Sequence, residues 1–108
     1  MTRVLIVDDT KFMRDKIREI LETENFQVAG EAGNGKDAVL LYQKLRPDLV
    51  IMDITMPVKN GIEALKEMIE IDPKVKVIMC TAMRQQRIVV EAIEAGAKDF
   101  IVKPFEEA

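Results

Sequence analysis

The sequence predicts an α/β domain: a doubly wound, five-stranded parallel sheet with helices on both faces. Two observations carry this. Short apolar runs of strand length alternate with longer segments of helical period along all 108 residues. The runs are almost continuously apolar, as strands buried on both faces must be. Right-handed crossovers then restrict the topology to a doubly wound sheet.

Strand one spans about 3–8 and holds Val4-Leu5-Ile6-Val7. A helix over about 11–24 follows, with Met13, Ile17, Ile20 and Leu21 at near-helical spacing. Residues 26–31 read as strand two. Asn34-Gly35 turns the chain, Asn34 can cap the next helix and Asp37 suits its first turn. Ala38, Leu41, Tyr42 and Leu45 share one face of that helix, which stops before Pro47. Strand three covers about 48–53. After Met56-Pro57-Val58-Lys59, Asn60 and Glu63 have the spacing of a capping box for a helix to about 71, which Pro73 closes. Strand four is placed at 75–80 and a helix at about 85–95. Gly96 supplies that helix's left-handed terminus, and strand five covers about 99–102.

The sequence ends soon after strand five, where a doubly wound sheet returns a helix. About five apolar side chains would lie uncovered, a gross ~7–15 kcal/mol before ordering entropy. The expectation is one domain over 1–108 with the final helix missing: either the chain is a fragment of a longer one, or a neighbouring chain covers the gap as a dimer partner or by segment exchange.

Composition narrows the function classes. With 48% hydrophobic and 32% charged residues the chain is globular rather than disordered. A net charge of −3 argues against non-specific nucleic-acid binding, and no apolar run reaches the roughly 20 residues of a membrane span. The absence of histidine removes imidazole acid–base chemistry and the commonest zinc ligand. Met1-Thr2-Arg3 leads at once into a run ended by Asp8, which is no signal peptide. With Cys80 as the lone cysteine, a cytoplasmic location is expected.

Charges stand at the carboxyl ends of the apolar runs: Asp8 and Asp9 after strand one, Asp53 after Leu49-Val50-Ile51-Met52, and Lys103 after Phe100-Ile101-Val102. In open parallel sheets that edge is where ligands bind. Three carboxylates gathered there repel one another unless a cation joins them. The pattern points to a divalent-metal site beside a reactive aspartate.

Four marks in order, Val7-Asp8-Asp9, Met52-Asp53-Ile54-Thr55-Met56-Pro57 with Asn60-Gly61, Thr81-Ala82, and Lys103-Pro104-Phe105, resemble the response-regulator receiver-domain family. Thr55-Met56-Pro57 and the stretch 96–100 are similar to its stand-alone chemotaxis branch. The resemblance implies the flavodoxin-like strand order 2-1-3-4-5. It also implies that Asp53 is the phosphoacceptor and that Asp8, Asp9 and Asp53, with the Thr55 carbonyl, hold Mg2+. Thr81 is then the switch hydroxyl, Lys103 the phosphate-binding lysine and Phe100 the aromatic switch residue. Lys103-Pro104 is expected to be cis. Thr55 and Met83 are expected to tune phosphate lifetime, and the helix at 85–95 (Gln85, Arg87, Val90, Glu91, Glu94) to form the responsive surface. The implied partners are a histidine kinase and a flagellar motor-switch or other output protein.

Three other functional classes share parts of this pattern. A phosphatase or phosphotransferase of the haloacid-dehalogenase type carries a second aspartate two residues after the nucleophile, where this chain has Thr55. A flavodoxin-like cofactor binder cradles phosphate after strand one, where Asp8-Asp9-Thr10-Lys11 would repel it. A receiver domain of a larger transcriptional or enzymatic regulator carries the same four marks.

Overall fold

In a computed structural model of the chain, described residues are 1–54, 56, 58–82 and 86–103; at 81, 82, 86, 88, 89 and 100–103 only the backbone is described. The elements run β1 (Arg3–Val7), α1 (Lys11–Thr23), β2 (Gln27–Ala32), α2 (Gly35–Leu45), β3 (Leu49–Asp53), α3 (Gly61–Ile71), β4 (Val77–Ala82), α4 (Gln86–Ala95) and β5 (Asp99–Lys103). Neighbouring strands are all parallel, in the order β2-β1-β3-β4-β5. The α/β parallel class is the one read from the sequence.

The apolar runs explain the layering. Successive strand side chains point to opposite faces. Leu5 and Val7 join the larger core with Val50, Met52, Val77 and Met79, beneath Ala38 and Tyr42 of α2 and Leu65 and Met68 of α3. Val4 and Ile6 turn the other way, with Ile51 and Cys80, toward Ile17 and Leu21 of α1. Val4, Leu5 and Ile6 are fully buried, so β1 is the spine between two cores.

Helix ends follow local chemistry. Asn34 accepts the Asp37 N–H at 2.8 Å. Asn60 accepts the Glu63 N–H at 2.9 Å while Glu63 accepts the Asn60 N–H at 3.3 Å, completing the capping box. Gly96 takes φ 117°, and the Gly96 and Ala97 N–H groups bond back to Ile93 and Ala92. Asn25 (φ 65°) closes α1 the same way, with Phe26 N–H on the Leu21 carbonyl.

All five strands differ from the sequence reading by a residue or two, and two of the shifts have a clear cause. β2 starts at Gln27, because Phe26 is consumed by the α1 terminus. β4 runs Val77–Ala82, not 75–80: the Val75 N–H donates to the Asp72 carbonyl at 3.0 Å, so Val75 plugs the core from a turn.

A polar clasp joins α2 to the turn after α3. The Tyr42 hydroxyl donates to Asp72 Oδ2 at 2.8 Å, and the Arg46 guanidinium stands 5.6 Å from the ring centre and 3.9 Å from Asp72. Burial, then the Asp72 bond, pushes the Tyr42 phenol up to about 12. The Lys74 N–H and the Tyr42 hydroxyl hold the Asp72 carboxyl below its usual range.

Two predictions follow from these features. Tyr42→Phe is expected to cost about 1 kcal/mol at neutral pH. The phenol's pKa is raised by folding, so its contribution is full below about pH 10 and is lost as pH climbs toward 12. Urea unfolding near pH 8 and near pH 11 should therefore separate the two proteins less at the higher pH. Asp72 has the opposite sign: its contribution is present above the ordinary carboxylate range and is lost as acid titrates the folded form. Val58 is β-branched, 78% exposed and at φ 71°. Left-handed geometry costs such a residue about 1–2 kcal/mol, against about 0.5–1 kcal/mol of extra chain entropy for glycine. Val58→Gly is expected to raise the urea midpoint; an unchanged or lower midpoint would contradict the strain.

Candidate functional site

The carboxyl edge of the sheet carries the acids. The Asp8 N–H donates to the Ala32 carbonyl at 3.1 Å, extending the β1–β2 ladder by one residue. Asp8 is 1% exposed, and its Oδ1 accepts the Thr10 N–H at 3.0 Å and the Thr10 hydroxyl at 3.1 Å. Thr10 is also the N-cap of α1, its hydroxyl oxygen accepting from Met13 N–H. One threonine thus ties the start of the helix to the orientation of the acid.

Asp53 ends β3 opposite Cys80 and is 7% exposed. The chain after it is held at both ends. Ile54 N–H donates to the Cys80 carbonyl at 3.1 Å, and Gly61 N–H donates to the Ile54 carbonyl at 2.7 Å. A Cβ at Gly61 would collide with the Asp53 carbonyl oxygen, so this close approach requires glycine. Gly35 N–H donates to the Lys59 carbonyl at 3.0 Å, bringing α2 against the same loop, and a Cβ there would strike Lys59 backbone. Lys59 pairs with Glu67 of α3.

Buried Asp8 and Asp53 and exposed Asp9 each offer a carboxylate oxygen, all within 4.8 Å of one another. At that separation each pair of charges repels by about 3–4 kcal/mol at an effective dielectric of 20. The donors are all oxygens, which suits a hard divalent cation. The acidic pocket fits a metal ion on the chemistry of its donor set.

Two of the remaining predicted residues, Thr81 and Lys103, reach the same edge through the backbone, whereas Phe100 lies near the start of β5. Thr81 lies near the end of β4 and pairs with Val102; Lys103 ends β5 and pairs with Ala82; Phe100 pairs with Met79. Thr55, Met83, Gln85 and Pro104 lie outside the described residues. On α4, Arg87, Val90, Glu91 and Glu94 are exposed.

Sequence reasoning missed Thr10 and Arg14. Thr10 carried a cap signal, a threonine just ahead of a helix. Arg14 carried a weaker one: a cation near a helix N-terminus, where the dipole disfavours it, needs a partner elsewhere. Its Nη1 donates to the Asp8 carbonyl at 2.8 Å and its Nε to Glu31 Oε1 at 3.0 Å.

Comparison with known proteins agrees with this geometry. Residues 4–108 match the family model described as the response regulator receiver domain. Protein CcdB of Bacillus subtilis is 76% identical over 107 residues, covering 99% of this chain and 89% of that protein. The chemotaxis protein CheY of Thermotoga maritima is 60% identical over 104 residues, covering 96% of this chain and 87% of that protein. A crystal structure of the CheX–CheY–BeF3–Mg2+ complex from Borrelia burgdorferi superposes with a TM-score of 0.93 at 37% identity, covering 97% of this chain and 80% of that one.

Metal addition tests the pocket. A cation at ten times its Kd stabilises by about 1.4 kcal/mol, which raises Tm by roughly 5–10 °C in a domain of this size. Mg2+ is expected to produce such a rise in the wild type and in Asp15→Asn, but not in Asp9→Asn. Equal rises in all three would show the pocket plays no part.

Proposed function

The chain belongs to the response regulator receiver domain family, and from that premise we propose that it is a phosphorylation-controlled switch of the chemotaxis type, with Asp53 as its phosphoacceptor. It is a two-component, CheY-like receiver domain. The observation that carries the proposal is the convergence of Asp8, Asp9 and Asp53 within 4.8 Å at the carboxyl edge of the sheet.

Asp8, Asp9 and Asp53, with the Thr55 carbonyl, would hold Mg2+. That ion, when bound, supplies charge neutralisation for the carboxylates and the incoming phosphoryl group. A carboxylate oxygen of Asp53 forms the bond to phosphorus as the bond to the donor's leaving atom breaks, its electron pair departing with the donor. Lys103, assigned from its place at the end of β5, adds positive charge for the transferring group. Thr81 supplies the hydroxyl that reads the new phosphoryl oxygens, and Phe100 couples it to the outer surface. Thr55 and Met83 tune how long the acyl phosphate survives.

The responsive surface is α4 with β5. A groove of about 380 Å3 lined by Ile54, Met56, Asn60, Ile62, Glu63, Lys66 and Glu91 supports this by leaving room for rearrangement where α4 faces α3. The partners are a histidine kinase as phosphoryl donor and a flagellar motor-switch or other output protein as reader. The location is cytoplasmic; among the described residues no helix is long and apolar enough to cross a membrane. The chain works as a phosphoacceptor rather than as a turnover enzyme. The single-domain reading is supported by relatives of which the chain covers 87–89%.

Incubation with labelled acetyl phosphate and Mg2+ tests the assignment. Wild-type protein is expected to take up one phosphoryl group per chain, and Asp53→Asn to lose at least about 99% of the label. Undiminished uptake by Asp53→Asn would overturn the phosphoacceptor, and sustained phosphate release without saturation would favour an enzyme.

A further inference from the structure

We propose that Arg14 is a positioning residue for the cation site, acting by pinning the peptide that joins Asp8 to Asp9. The inference rests on the reading of Asp8, Asp9 and Asp53 as that site.

Arg14 lies in the opening turns of α1 with its side chain 20% exposed. Its guanidinium is held at two ends. Nη1 donates to the Asp8 carbonyl at 2.8 Å, and Nε donates to Glu31 Oε1 at 3.0 Å. Glu31, on β2, is fixed in turn: its Oε2 accepts Arg18 Nε at 2.9 Å and Nη2 at 2.6 Å. The Asp8 carbonyl belongs to the peptide whose nitrogen is Asp9. Rotating that peptide would swing the exposed Asp9 relative to buried Asp8 and Asp53. The Asp8 N–H is already held by Ala32 and its side chain by Thr10, so the carbonyl is the third anchor of the residue.

An ordinary staple between α1 and β2 does not account for this arrangement. Arg18 already supplies that staple with two bonds to Glu31, to which Arg14 adds one. Nothing in that role needs the Asp8 carbonyl. The charges also fit a supporting role. Glu31, shared with Arg18, takes the Nε of the guanidinium, and the site-facing N–H goes to a carbonyl, not to a carboxylate. Arg14 thereby orients the acids without competing for them as a resident cation.

Partners that orient metal ligands change metal affinity by about 10–100-fold when removed. The test measures the rate of labelling by acetyl phosphate against Mg2+ concentration, beside calorimetric Mg2+ binding and thermal unfolding. Arg14→Met is expected to raise the half-saturating Mg2+ concentration about tenfold, while leaving the rate at saturating Mg2+ within about twofold of wild type. Arg14→Lys, which keeps the charge but cannot make both bonds, is expected to fall between. Arg18→Met is expected to lower Tm without moving the Mg2+ half-saturation point. A shift of equal size in Arg14→Met and Arg18→Met would overturn the inference, as would no shift in Arg14→Met. Should Arg14→Met fail to fold, an Arg14→Lys protein with wild-type Mg2+ affinity has the same force. A wild-type protein that binds no Mg2+ would instead remove the underlying reading of the site.

Discussion

Mutual repulsion among three carboxylates is the constraint around which this molecule is organised. Acids within 4.8 Å of one another, two of them buried, would drift apart on a pliable scaffold. They are fixed to the ends of β1 and β3, adjacent strands of a parallel ladder whose apolar side chains are sealed on both faces. Asp8 and Asp53 therefore move only if the sheet moves. The electrostatic cost is held in place by two hydrophobic cores, and the all-oxygen donor set is one that a hard cation would relieve.

Around that edge the architecture repeats one device: a loop tied by hydrogen bonds in which the main chain takes part. The β1–α1 junction is tied through Thr10 and Arg14, and the loop after β3 through Ile54, Gly61 and Lys59. Helix caps serve twice in this scheme. Thr10 starts α1 and holds Asp8; Asn60 starts α3 one residue before the glycine that leans on Asp53. Local helix chemistry and site geometry are thus carried by the same atoms.

Much of this was legible in the sequence because it depends on local pattern. The runs 4–7 and 49–52 announced buried strands, and the acids that follow them announced the edge. Asn34, Asn60 with Glu63, and Gly96 announced helix ends, and all act as such. Failures arose where an apolar residue is buried without belonging to a strand. Phe26 is taken by the α1 terminus, and Val75 plugs the core from a turn, which hydropathy alone cannot distinguish from a ladder position. Arg14 was illegible for a different reason. Its two partners lie six residues back and seventeen residues ahead, and only folding brings them to one guanidinium.

The glycine contacts beside Asp53 also bear on how such a domain can be recombined. Gly35 and Gly61 each press backbone against backbone, one on Lys59 and one on Asp53. The loop after β3 is consequently clamped at Asp53 and at Lys59 by two helices that come from different parts of the chain. Transplanting it from a homologue, or lengthening it by one residue, is an exchange of three pieces rather than one. A chimera that carries the loop but keeps a bulkier residue at either flange will not close.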